Sequence, residues 1–214
     1  MTLTLIIGDK NLSSWSLRPW LAMRHLGIPF TEELVRLDRP DSRENLRRLS
    51  PSGFVPCLKD GETVVWDSLA ILEYLNESFP EKGLWPASAQ ARAHARSASA
   101  EMHSGFSNLR TVWPMMFTRE DLRHTTSGGV ARDIARIADL WTEARERFGV
   151  PHGGAFLYGD FSIADAMYAP VASRFRTYGP IDLPPPAAEW MEMMLDLPAM
   201  REWGEDAAKE LNGS

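Results

Sequence analysis

Every segment of this chain able to form a strand lies before residue 67, and everything after residue 88 reads as helix. That partition restricts the fold to one small sheet with its own helices, followed by a helical half, since a strand needs a neighbour to satisfy its backbone. Residues 3–7 are an apolar run closed by Gly8, as a buried strand would be. Residues 15–26 place Leu17, Trp20, Leu21, Met23 and Leu26 at helical spacing and end at Gly27, a C-cap signal. Residues 30–37 alternate as a second strand, and 43–49 read as a short polar helix. Residues 54–58 and 63–66 flank Lys59-Asp60-Gly61-Glu62, whose Asp-Gly pair marks a hairpin. Residues 68–79 open on a hydroxyl and bury Leu69, Ile71, Leu72 and Leu75. In the order β-α-β-α-β-β-α, the first two strands pair in parallel across a right-handed crossover and the last two pair antiparallel.

This is a thioredoxin-like layer arrangement, giving an α/β domain at residues 1–80. The proline- and glycine-bearing stretch 81–88 is a linker, and 89–214 is an all-α domain. Within it, helices are expected over 89–117 (one long stretch bent near Pro114), 130–148, 162–178, 187–195 and 198–211. Twenty-three basic residues against 29 acidic give a net charge of −6, which lacks the basic surface that phosphate backbones require, so no nucleic-acid partner is expected. The single cysteine, Cys57, excludes an internal disulfide and cannot by itself form a metal site. The first residues lack a basic leader, and no run of about 18 apolar residues is present, so a cytoplasmic protein with no membrane partner is expected.

Three short motifs carry chemistry. Ser13-Ser14-Trp15-Ser16 lies where the first strand passes into the first helix, a junction whose N–H groups and dipole suit an anion. Ser14 or Ser16 as a plain helix cap explains the same residues. Gly53-Phe54-Val55-Pro56 precedes a strand; a cis bond at Val55–Pro56 would turn the Val55 backbone toward a cleft, where an extended peptide could pair with it. Asp67-Ser68 caps the next helix and can also meet a ligand carboxylate and ammonium.

Together these elements, with the domain order, resemble the cytosolic glutathione transferases over essentially the whole chain. Phe161-Ser162-Ile163-Ala164-Asp165 is similar to that family's buried helix start, with Ser162 and Asp165 as a capping box and Phe161 as its apolar staple. Ser13-Ser14-Trp15-Ser16-Leu17-Arg18 is similar to the serine-type, zeta-like pattern, with Trp15 where that pattern has cysteine. The resemblance implies glutathione as co-substrate with no metal, Ser13 as the thiol-activating hydroxyl with Ser14 as its alternate, and Trp15, Val55, Pro56, Asp67, Ser68 and His103 as glutathione contacts. It further implies a homodimer and an acceptor pocket between the domains, to which Phe106, Arg110 and Trp113 are assigned. The expected activity is conjugation of the glutathione thiolate to small hydrophobic electrophiles. The alternatives are a glutathione-dependent isomerase or peroxidase, or a non-catalytic binding module of the same fold; a serine at position 13 disfavours a thiol oxidoreductase.

Overall fold

The computed structural model describes residues 3–124 and 126–213, so the outer domain bounds at 1 and 214 lie outside the described residues. Strands β1 (Leu3–Gly8), β2 (Phe30–Val35), β3 (Cys57–Asp60) and β4 (Thr63–Trp66) form one mixed sheet in the order β2-β1-β3-β4. β1 and β2 run parallel with Leu3 opposite Phe30, while β1–β3 and β3–β4 are antiparallel. The hairpin turns on Gly61 and Glu62, with Gly61 at φ +58°, a conformation that glycine adopts without steric cost. β3 starts at Cys57 rather than at 54, because Pro56 has no N–H for the ladder. Alternation along β1 sends Leu3, Leu5 and Ile7 into the main core and Ile6 to the opposite face. Helices α1 (Ser14–His25) and α3 (Ser68–Ser78) bury residues in the main core, whereas α2 (Ser42–Leu49) buries Leu46 against Ile6, Val35 and Cys57 on the other face.

The helical half comprises α4 (Ala89–Ser104), α5 (Ser107–Val112), α6 (Gly128–Ala144), α7 (Ile163–Tyr178), α8 (Pro185–Asp196) and α9 (Pro198–Leu211). α7 is the central element, with all its residues but Arg176 buried, which accounts for its nearly continuous run of small and apolar side chains. It packs on α1, α4 and α8, so a single core joins the two halves. The single helix expected over 89–117 is two helices. Gly105 leaves helical geometry, where a Cβ would lie 2.7 Å from the Glu101 carbonyl oxygen, and Phe106 takes φ +54°. The break falls ten residues before Pro114.

α9 is fastened to the turn after β1 by a buried lysine. Lys10 Nζ sits 2.9 Å from Glu32 Oε1 and 2.8 Å from Asp206 Oδ2, over the rings of Trp20 and Trp203, and Trp203 Nε1 donates to the Lys10 carbonyl at 2.8 Å. Partial burial opposes ionisation of Asp206, but hydrogen bonds from Lys10 and Lys209 outweigh it and hold the carboxyl below its ordinary range. A depressed folded-state value means stabilisation that is complete above the unfolded carboxylate range and is lost as pH falls through the folded value. Glu210, pushed up chiefly by burial, acts in the opposite sense. Wild type is therefore expected to lose melting temperature more steeply in acid than Asp206→Asn, as followed by tryptophan fluorescence; parallel pH profiles would exclude the fastening role.

Candidate functional site

Two adjoining cavities open where α1 begins. The first, of about 260 Å³, is walled by Trp15, Phe54, Val55, Pro56 and Trp66, with Ser52, Asp67 and Ser68 supplying polar groups. The Val55–Pro56 peptide bond is cis. Val55 lies just before β3, and its N–H and C=O take no backbone partner among the described residues. Beside it, Asp67 caps α3: Oδ1 accepts from Leu69 N–H at 2.9 Å and Ala70 N–H at 3.2 Å. Asp67 Oδ2 lies 3.2 Å from His103 Nε2 of α4, so a single carboxylate joins the helix start to the helical half. Asp67 does this at φ +77°, which costs a non-glycine residue about 1–3 kcal/mol and persists only where surrounding contacts enforce it.

The second cavity, of about 340 Å³, has Ser14, Trp15, Arg110 and Arg174 among its walls, with Leu12, Pro114 and Met115 as apolar surface. Trp15 borders both cavities. Its ring has the Arg18 guanidinium at 4.1 Å, that of Arg110 at 5.4 Å and the His103 ring edge-on at 5.3 Å. Among the described residues, Arg18, Arg110 and Arg174 make no ion pair with a carboxylate, and Nε of both Arg18 and Arg110 is buried without a hydrogen-bond partner. Arg18 donates to Ser68 Oγ at 3.3 Å. Burial first, then Arg174 and Arg110, pull Arg18 down to about 9; burial and Arg110 pull Arg174 down to about 10. Both remain cations at neutral pH. An acidic protein thus carries a local cluster of positive charge at this junction, with Arg18 and Arg174 buried and Arg110 half-buried, an environment that favours an anion.

The structure brings Trp15, Val55, Pro56, Asp67 and Ser68 together around the first cavity, and His103 reaches it through Asp67. Ser14 and Arg110 border the second. Ser13 borders neither; its hydroxyl donates to Ser16 Oγ at 2.7 Å, and Ser16 Oγ also accepts from Gly8 N–H at 3.1 Å. Ser13 occupies the cap position of α1, but its side chain accepts no capping bond from the helix backbone. Phe106 and Trp113 are core residues, Trp113 stacked 5.2 Å from Tyr178. Cys57 is buried, and burial pushes its thiol up, as suits a small hydrophobe. The sequence motifs contain Phe54 and Arg18 without giving either a role, and Ser52, Trp66 and Arg174 lie outside them. For Arg174 a signal existed, an arginine that follows the small and apolar run 166–173 within one helix. The three at the rim have exposed-loop or edge-strand surroundings and no such signal.

Residues 12–78 match the family model "Glutathione S-transferase, N-terminal domain", and residues 121–203 match "Glutathione S-transferase, C-terminal domain". Glutathione S-transferase 1 of Dianthus caryophyllus is 30% identical over 75% of this chain and 72% of its own length. A probable maleylacetoacetate isomerase of Caenorhabditis elegans is 29% identical over 89% of this chain and 87% of its own length. Among solved structures, a glutathione transferase homolog from Burkholderia gl BGR1 with bound glutathione superposes with a TM-score of 0.73 at 20% identity, covering 98% of this chain and all of that one. Both the sheet-bearing half and the helical half thus match models of one family, and the chain belongs to the glutathione S-transferase family.

Proposed function

We propose that the protein is a glutathione-dependent transferase acting on small electrophiles. The observation that carries this reading is the Val55 backbone, without a backbone partner among the described residues, beside the capped start of α3, a geometry suited to an extended γ-glutamyl tripeptide. The cysteinyl backbone pairs with Val55 as an added strand. The γ-glutamyl carboxylate meets Ser68 and the α3 N-terminus, and its ammonium meets Asp67. That places the thiol at the junction of the two cavities, where one of the adjacent Ser13 and Ser14 hydroxyls and the guanidiniums around Trp15 favour the thiolate. A free thiol near pKa 8.5 is mostly protonated at neutral pH, and a shift of about two units requires about 2.7 kcal/mol of preferential stabilisation. The sulfur then attacks carbon in the second cavity, the leaving group departs with its bonding pair, and the protein forms no covalent bond with either partner.

The same thiolate serves addition–elimination isomerisation, the activity in the name of the Caenorhabditis elegans relative. Arg110 and Arg174 in the acceptor cavity suit an electrophile that carries or develops negative charge better than a wholly apolar one. We place the activity in the cytoplasm, in detoxification, with the chain working as a homodimer. The test is retention on immobilised glutathione followed by turnover of halide, epoxide, peroxide and unsaturated-acid substrates. Ser68→Ala is expected to weaken glutathione binding about tenfold by calorimetry, the effect of one hydrogen bond to a charged group. Retention without turnover of any substrate would leave a binding module, and absence of retention would end the glutathione reading.

A further inference from the structure

The two hydroxyls at the start of α1 are not equivalent. The Ser13 hydrogen is directed to Ser16 Oγ, which also receives the Gly8 N–H, so this pair ties the end of β1 to the first turn of α1. Ser14 is arranged the other way. Its Oγ accepts from Arg174 Nη2 at 3.2 Å, donates to no group among the described residues, and borders the acceptor cavity beside Trp15, the wall common to both cavities. Arg174 is 4% exposed and fixed by two further bonds, Nε to the Trp113 carbonyl at 2.9 Å and Nη1 to the Pro170 carbonyl at 3.0 Å. A hydroxyl whose oxygen accepts from a cation is polarised and becomes a stronger donor through its own hydrogen.

We propose that Ser14, polarised and oriented by Arg174 as its positioning residue, is the hydroxyl that donates to the glutathione thiolate, and that Ser13 is structural. This rests on the glutathione reading above and assigns its chemistry to a different serine from the one the zeta-like pattern selects. The S–H proton leaves to water, Ser14 keeps its own proton and donates a hydrogen bond, and the C–S bond forms as the leaving group departs. The titratable and charged groups around that junction are Arg18 of α1, Asp67 at the start of α3, His103 of α4, Arg110 of α5 and Arg174 of α7. None but Arg174 is bonded to either serine.

The experiment is an ultraviolet titration of the thiolate of enzyme-bound glutathione, with kcat measured in parallel, for wild type, Ser13→Ala, Ser14→Ala, Ser14→Thr and Arg174→Gln. Ser14→Ala is expected to raise the bound thiol's apparent pKa by about one unit and, through the smaller thiolate fraction, lower kcat about threefold at about pH 7, and Ser14→Thr to restore both. Ser13→Ala is expected to keep the wild-type titration and to lower the melting temperature. Arg174→Gln should raise the thiol pKa in the wild-type background and add nothing in the Ser14→Ala background, a non-additivity that a purely structural arginine does not give. If Arg174→Gln does not fold, Arg174→Lys replaces it, and the two serine variants decide by themselves. A raised pKa in Ser13→Ala with an unchanged one in Ser14→Ala would overturn the assignment and leave the glutathione reading intact. A wild-type chain that binds no glutathione would overturn both.

Discussion

Replacing Asp165 with alanine is expected to cost about 3–5 kcal/mol of folding free energy and about 10 °C in melting temperature, read from urea and thermal unfolding at an unchanged m-value. Asp165 is fully buried at the start of α7, and its carboxylate gathers four donors: Leu157 N–H at 3.0 Å, Ser162 N–H at 2.9 Å, Ser162 Oγ at 2.8 Å and Trp190 Nε1 at 2.8 Å. Burial raises its carboxyl above the ordinary range, and those four bonds oppose the shift. Truncation strands donors from three segments at once: the 156–160 turn, the α7 start and α8. Ser162→Ala removes one member of the capping box and is expected to cost about 1–2 kcal/mol, the scale of a lost helix cap. Similar losses for the two variants would show that the network adds nothing to the cap.

The Asp165 network also shows what sequence can carry. The Ser162-Ile163-Ala164-Asp165 spacing announces a capping box because both partners lie within one turn, and the box is present. Gly27, Gly61 and the Asp-Gly hairpin are legible for the same reason, since a positive φ is a local demand. The interruption after α4 is not announced in this way. Gly105 is one glycine among alanines and serines, and only packing decides whether such a residue is tolerated or ends a helix. Phe161 was expected to staple the entry to α7; its ring meets Phe156, five residues earlier, at 5.4 Å, and His25 of the distant α1 at 4.3 Å. The first cavity was largely legible, because each of its motifs is a local backbone device. The second was legible only in part: Arg110 was expected there and borders it, but Arg174 lies 64 positions away, and aromatic residues at helical spacing, such as Phe106 and Trp113, are core packing as often as pocket wall. The direction of the Ser13 hydroxyl depends on Ser16 and Gly8, a three-body arrangement that spacing alone leaves open.

The largest effect on ligand binding is expected at Asp67, where three variants separate three roles. Its carboxylate caps α3 through Oδ1, faces His103 through Oδ2, and is the group proposed to meet the γ-glutamyl ammonium. Asp67→Ala removes the cap and the charge and leaves a side chain at φ +77°; glutathione affinity is expected to fall about a hundredfold, with about 1 kcal/mol of stability lost through the cap. Asp67→Asn retains an acceptor for Leu69 and Ala70, so stability should stay near wild type while affinity still falls more than about tenfold, isolating the charge. Asp67→Gly deletes both functions but adopts the positive φ freely, so it should be more stable than Asp67→Ala yet bind no better. Calorimetric affinities and urea midpoints on the three proteins resolve the roles. Full binding by Asp67→Asn would remove the carboxylate from ligand recognition and leave it as a cap. Equal stability of the glycine and alanine variants would mean that the backbone at 67 relaxes once its side chain is gone, so that the contacts of the carboxylate, and not the neighbouring chain, enforce the strained conformation.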